Sequence, residues 1–156
     1  MRAYADSSFI LRLLTGELDS PQVIAEYRRL NAPKLFFLPL HALEIRNAIL
    51  QRAFHQRRSV VAGERSQVAR ERDAALARLA HLLSRRALVD VALEHEAVMA
   101  RAVKLSSAHT ERIGARAIDI LHVASALALE SELFLTTDNR QSQLARAESM
   151  KVVMVA

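Results

Sequence analysis

Four carboxylates in this chain, Asp6, Glu44, Asp119 and Asp138, stand where short apolar runs meet helix-like segments. Asp6 follows AYA and precedes SSF, and Asp138 follows LFLTT. Glu44 lies in LHALEIRNAIL and Asp119 in RAIDILHVASALAL. The last of these is apolar on nearly every side, the composition of a helix enclosed between layers, where an unpartnered ionised carboxylate is costly. Four acids converging on one edge of a sheet would repel one another unless cations neutralised them. With no cysteine and no histidine pair at ligand spacing, the donors are oxygens, which suit Mg²⁺ or Mn²⁺ rather than Zn²⁺. A divalent ion held this way can turn water into a nucleophile and stabilise charge building on a phosphoryl group.

The same residues have simpler uses. Asp6 and Asp138 have the side chain of a helix N-cap, and acids near helix starts such as Glu44 and Asp119 are favoured by the helix macrodipole. Both readings place the four acids at helix starts and strand ends, so the elements decide whether they meet.

Five apolar runs read as strands: 3–5, 35–38, 87–91, 133–136 and 152–155. Several are continuous rather than alternating, the pattern of strands covered on both faces. Helix-like segments lie between them at 7–14, 21–30, 40–54, 67–85, 93–107, 115–130 and 142–148. Strands alternating with helices predict an α/β chain, a three-layer α/β/α sandwich around a central, mainly parallel sheet. Ligands of such sheets bind at the carboxyl ends of the strands, near a switch point in strand order. At 156 residues, 51% of them hydrophobic, the expectation is a single domain spanning 1–156.

The net charge is +5 and the isoelectric point is near 10.4, which points to an anionic partner, while 4% aromatics leave little for base stacking. A phosphodiester of RNA or DNA is the natural substrate of such a site on a basic protein. The N-terminus lacks the layout of a signal peptide and no apolar run reaches the length of a membrane span, so a soluble cytoplasmic protein is expected.

The order YADSSFI, LHALEIRNAI, RAIDILHVASAL and LFLTTDNRQSQLA resembles the PIN-domain nucleases, most closely VapC-type ribonuclease toxins of toxin–antitoxin modules. The resemblance implies a PIN-like fold and an Mg²⁺- or Mn²⁺-dependent endoribonuclease site formed by Asp6, Glu44, Asp119 and Asp138. It further implies that Asp6 and Asp119 are the strongest metal ligands, that Glu44 binds directly or through water, and that Asp138 serves as a ligand or for a second metal. Ser8 and Thr137, or its neighbour Thr136, would orient carboxylates or bound water. The implied partners are a VapB-like antitoxin, an RNA substrate and a second copy of the chain in a homodimer. One departure stands out: where many relatives carry an aromatic residue after the fourth-strand acid, this chain has Asn139, Arg140, Gln141 and Ser142. Asn139 or Arg140 is a candidate phosphate contact, and a solvated surface charge is the plainer reading of Arg140.

Between Arg52 and Arg86, nine arginines against Glu64, Glu71 and Asp73 give a local charge of +6. An apolar stripe of Val68, Ala75, Leu76, Leu79, Leu82 and Leu83 runs along the same segment, so one face packs and the other is basic. Arg70 and Arg78 there are candidate RNA or antitoxin contacts, and a solvated face is the alternative. His122 is read as a satisfied core residue, and His41, His55, His81, His95 and His109 as scattered positions without a metal motif.

Other classes fit less well. A phosphoacceptor domain would usually carry an acid pair after the first strand and a suitably placed lysine, and the only lysines are Lys34, Lys104 and Lys151. No glycine fingerprint of a nucleotide site and no G-x-S-x-G elbow is present. A non-catalytic PIN-fold module binding RNA or protein is the remaining alternative.

Overall fold

The computed structural model describes residues 2–16 and 20–155. Along the chain run β1 (Ala3–Ala5), α1 (Ser7–Leu14), α2 (Ser20–Arg29), β2 (Leu35–Phe37), α3 (Pro39–Ser59) and α4 (Arg65–Ser84), the last preceded by a 3₁₀ turn at Ala62–Glu64. Then follow β3 (Leu88–Asp90), α5 (His95–Ile113), α6 (Ala117–Ala128), β4 (Leu133–Thr136), α7 (Asn139–Ala147) and β5 (Val152–Met154). The strands form one sheet in the order β3-β2-β1-β4-β5, and each neighbouring pair is parallel.

Strands of three or four residues cannot hold a sheet by themselves, and both faces of this one are covered. Ala3 and Ala5 of β1, with Leu35, Phe37, Leu133 and Leu135, pack against Phe9, Val23, Ile45 and Leu79 from α1 to α4. Tyr4 and Phe134, pointing the other way, pack against Val98, Leu105, Val123 and Leu144 from α5 to α7. This period-two division explains why the central strands read as continuous apolar runs. Complete burial of Phe9, Ile10 and Leu14 on α1 contributes about 1.5–3 kcal/mol each. The expected three-layer α/β/α sandwich with a parallel sheet is the fold observed.

Several boundaries differ from the sequence reading. Helix α3 continues to Ser59 rather than Phe54, and α5 to Ile113 rather than Ser107, because their final turns are polar helix formers without apolar periodicity. Helix α7 begins at Asn139 rather than Ser142 because Asp138 caps it. Among the described residues, no helix is long and apolar enough to cross a membrane.

Strand order turns back at the centre of the sheet. From β1 the chain builds outward through β2 to β3, then returns to place β4 on the other side of β1. The ends of β1 and β4 therefore flank the switch point, and their following residues face a shared edge. Helix α6 reaches this edge from a sharp turn at Gly114, the left-handed C-cap of α5 with φ of 70°, whose N–H closes on the Thr110 carbonyl at 2.8 Å. No atom stands within 4 Å of where a Cβ on Gly114 would lie, so backbone strain alone opposes a side chain there. Gly114→Ala is expected to lower stability by about 1 kcal/mol, read as a fall in Tm of about 2–4 °C, without changing the far-UV circular dichroism.

Candidate active site

The site grows from the junction of β1 and α1. Asp6 caps α1 by accepting the Phe9 N–H at 2.8 Å, and its own N–H donates to the Leu135 carbonyl of β4 at 2.9 Å. The register that pairs Ala5 with Leu135 brings Thr136 alongside, and the Thr136 hydroxyl donates to Asp6 Oδ2 at 2.7 Å. The Ser8 hydroxyl lies 2.7 Å from Asp6 Oδ1 and 2.9 Å from Oδ2. Asp6 is wholly buried, and that burial pushes its carboxyl above the usual range, with His122, Thr136, the Phe9 N–H and Ser8 pulling it back.

Thr136 joins this acid to the next. Its oxygen accepts the Asp138 N–H at 2.8 Å, while Asp138 Oδ1 caps α7 by accepting the N–H groups of Arg140 and Gln141 at 2.8 and 3.1 Å. Thr137 is one step removed: its hydroxyl donates to Ser8 Oγ at 2.8 Å. Asp6 and Asp138 are thus helix caps and members of one network at the same time.

On α6, Asp119 occupies the third helical position and reaches back to accept the Arg116 backbone N–H at 2.8 Å. Its side chain is nearly fully buried, and Gln141 Nε2 donates to its other oxygen at 3.3 Å. The Arg116 guanidinium spans two acids, with Nε 3.2 Å from Asp119 Oδ2 and a terminal nitrogen 3.6 Å from Asp138 Oδ2.

Glu44 lies in the second turn of α3, half-buried, and accepts from the Ser7 hydroxyl at 2.8 Å and from His122 Nε2 at 2.5 Å. The Nδ1 of His122 meets the Tyr4 hydroxyl at 2.8 Å. Burial pushes the Glu44 carboxyl up, but His122, Ser7 and Arg116 together outweigh it and hold the group below the usual range. Beneath this chain sits His41, whose Nδ1 accepts the Leu38 N–H at 3.0 Å and whose Nε2 donates to the Ala5 carbonyl at 2.9 Å. Its ring lies against those of Tyr4, Phe37 and His122.

Glu44, Asp119 and Asp138 line a common cavity of about 260 Å³ together with Ser7, Arg116 and Gln141. Asp6 does not line it; its oxygens are taken up by hydroxyls and a backbone N–H below. Among the described residues, no three of His, Cys, Asp and Glu already surround a cation position. The donor chemistry of the cavity nevertheless fits a hard divalent ion, because the acids that face it offer oxygens alone. Gln141 Oε1 is a further oxygen there, buried without a hydrogen-bond partner.

Sequence reasoning had placed Asp6, Glu44, Asp119, Asp138, Ser8, Thr136 and Thr137 together, and the structure brings all seven into one connected edge. It missed Arg116, Ser7 and Gln141. Arg116 stands three residues before Asp119, the spacing of a capping box, and that was the available signal. His122 is a core residue by burial and also a direct partner of Glu44. Arg140 is exposed, touching the site through its backbone N–H on Asp138. Arg70 and Arg78 lie away from the cavity: Arg70 bonds Gln67 at 2.8 Å, and Arg78 donates to the Leu14 carbonyl at 2.8 Å beside a separate groove between α3 and α4.

Burial holds His41 neutral down to about pH 3, against 6.5 for an ordinary histidine. Between those values the unfolded chain binds the extra proton, so stability contributed by neutral His41 is complete above pH 6.5 and is lost as pH falls toward 3. The expected loss is roughly 2 kcal/mol by pH 5, and urea unfolding of wild type and His41→Gln across this range should show a steeper acid slope in wild type.

No curated protein sequence matches the chain. Among solved structures, the crystal structure of FitAcB from Neisseria gonorrhoeae is similar, at 17% identity and a TM-score of 0.61, covering 96% of this chain and 95% of that one. That likeness is one of fold. A family model, PIN domain, matches residues 3–147, which include every element from β1 through α7 and all four acids, so this chain belongs to the PIN-domain family.

Proposed function

We propose that this protein is an Mg²⁺- or Mn²⁺-dependent endoribonuclease, the VapC-type toxin of a toxin–antitoxin pair neutralised by a VapB-like antitoxin. The observation that carries the reading is the cavity at the carboxyl edge of the sheet, onto which Glu44, Asp119 and Asp138 open together. Family membership and the basic charge of the chain support a nucleic-acid substrate.

Glu44, Asp119 and Asp138 would hold the cation, with Asp6 adjoining from below. When bound, such an ion neutralises phosphoryl charge and lowers the pKa of a coordinated water. The protein's part is to keep Glu44 ionised and all the carboxylates aimed. Ser7 and His122 fix Glu44 from two sides, and the lowered pKa keeps it anionic at neutral pH. A carboxylate so placed can accept a proton from water entering the cavity. Thr136 and Ser8 fix Asp6, and the α7 N-terminus fixes Asp138. The cytoplasm is the compartment in which such a toxin meets RNA, and a homodimer is the proposed assembly.

A second reading, a PIN-fold module that binds RNA or protein without cutting it, is favoured by one observation: Asp6, Asp119 and Asp138 are each engaged by protein donors. The two readings part in one experiment, incubation of total cellular RNA with the purified protein in Mg²⁺, Mn²⁺ or EDTA. Cleavage is expected with either metal and not with EDTA, and Glu44→Gln and Asp119→Asn should each reduce it by at least about 100-fold while remaining folded. RNA binding without cleavage under every metal condition would support the module instead.

A further inference from the structure

Arg116 is the one arginine or lysine among the residues lining the cavity, where His122 is the other basic side chain. Its guanidinium lies between Asp119 and Asp138 at 3.2 and 3.6 Å, and its charge also helps hold Glu44 ionised. Among the described residues, those are the three acids that open on the cavity. Yet little keeps the side chain there: it is 67% exposed, whereas Asp119 beneath it is 2% exposed. The tie that shapes the start of α6 is the Arg116 backbone N–H on Asp119, which does not involve the guanidinium.

We propose that Arg116 is a built-in counter-ion of this site, one that occupies the electrostatic position of the divalent cation and competes with it. The inference rests on the metal-binding reading above and adds to it a control on affinity. With Arg116 in place, Asp119 and Asp138 are neutralised without metal, and the cluster is tolerated in the apo protein. A divalent ion entering the cavity meets acids that already have a cation beside them, and it must push the guanidinium outward toward solvent. The exposure of that side chain makes this a rotamer change rather than a refolding step. Electrostatics sets the direction: a fixed positive charge beside a cation site weakens binding, and its removal strengthens it.

The test is titration of Mn²⁺ alone, without RNA, into the full chain by isothermal calorimetry, with wild type, Arg116→Gln and Arg116→Lys. Arg116→Gln is expected to bind Mn²⁺ about tenfold more tightly than wild type, and Arg116→Lys, which keeps the charge, to stay within about threefold of it. Thermal unfolding gives a second readout: Arg116→Gln should melt below wild type in EDTA, where the acids lose their counter-ion, and gain more from added Mn²⁺. Equal or weaker Mn²⁺ binding by Arg116→Gln, in a protein with unchanged circular dichroism, overturns the competition while leaving the metal site intact. Absence of Mn²⁺ binding in all three proteins overturns the metal reading, and the competition falls with it.

Discussion

Like charges crowd the carboxyl edge of this sheet, and the local architecture is arranged around keeping each one partnered. The parallel topology puts the ends of β1 and β4 side by side, so Asp6 and Asp138 arrive within reach of the same threonine. Helices α3 and α6 add Glu44 and Asp119 from opposite faces of the sheet. Each acid receives a different kind of compensation: Asp6 two hydroxyls and a helix N-terminus, Asp138 a helix N-terminus, Asp119 a backbone N–H and a guanidinium, Glu44 a serine and a histidine. Paired and hydrogen-bonded carboxylates are tolerated where bare ones are not.

The side of the site opposite Arg116 is a buried hydrogen-bonded chain running from Tyr4 through His122 to Glu44 and Ser7. Tyr4 belongs to the central strand, paired on both sides, and is wholly buried, so the chain is anchored in the middle of the sheet. His41 underpins it by tying the end of β1 to the first turn of α3. Polar groups at this depth cost stability when unsatisfied, and here donors and acceptors are matched along the row. The result is a carboxylate on α3 whose position is set by β1 and α6.

How far the sequence foretold this depended on whether the signal was local. Strand cores and the layered class were readable because the central strands are apolar on both faces, and the acids stood out because carboxylates are costly in such surroundings. The roles of Ser8 and of Thr137 or Thr136 came from the resemblance to the family, and it is Ser8 and Thr136 whose hydroxyls meet Asp6. Gln141 was not readable, since its role comes from a contact between α6 and α7 that no spacing along the chain announces, and Arg116 was signalled only by its place three residues before Asp119. His122 shows the limit of an either-or reading: burial and function coincide in one ring. Arg78 shows another, because a guanidinium on a basic helix turned out to close the C-terminal end of α1.

The double use of the aspartates bears on how relatives of this protein should be judged. Asp6 and Asp138 each begin a helix, and Asp119 closes the first turn of a third. A lineage that abandoned chemistry altogether would still be under selection to keep acceptors at these positions in order to fold. Retention of the three aspartates is therefore weak testimony to an active enzyme. Glu44 caps no helix, so its fate in a descendant is the more telling record of whether the chemistry was kept.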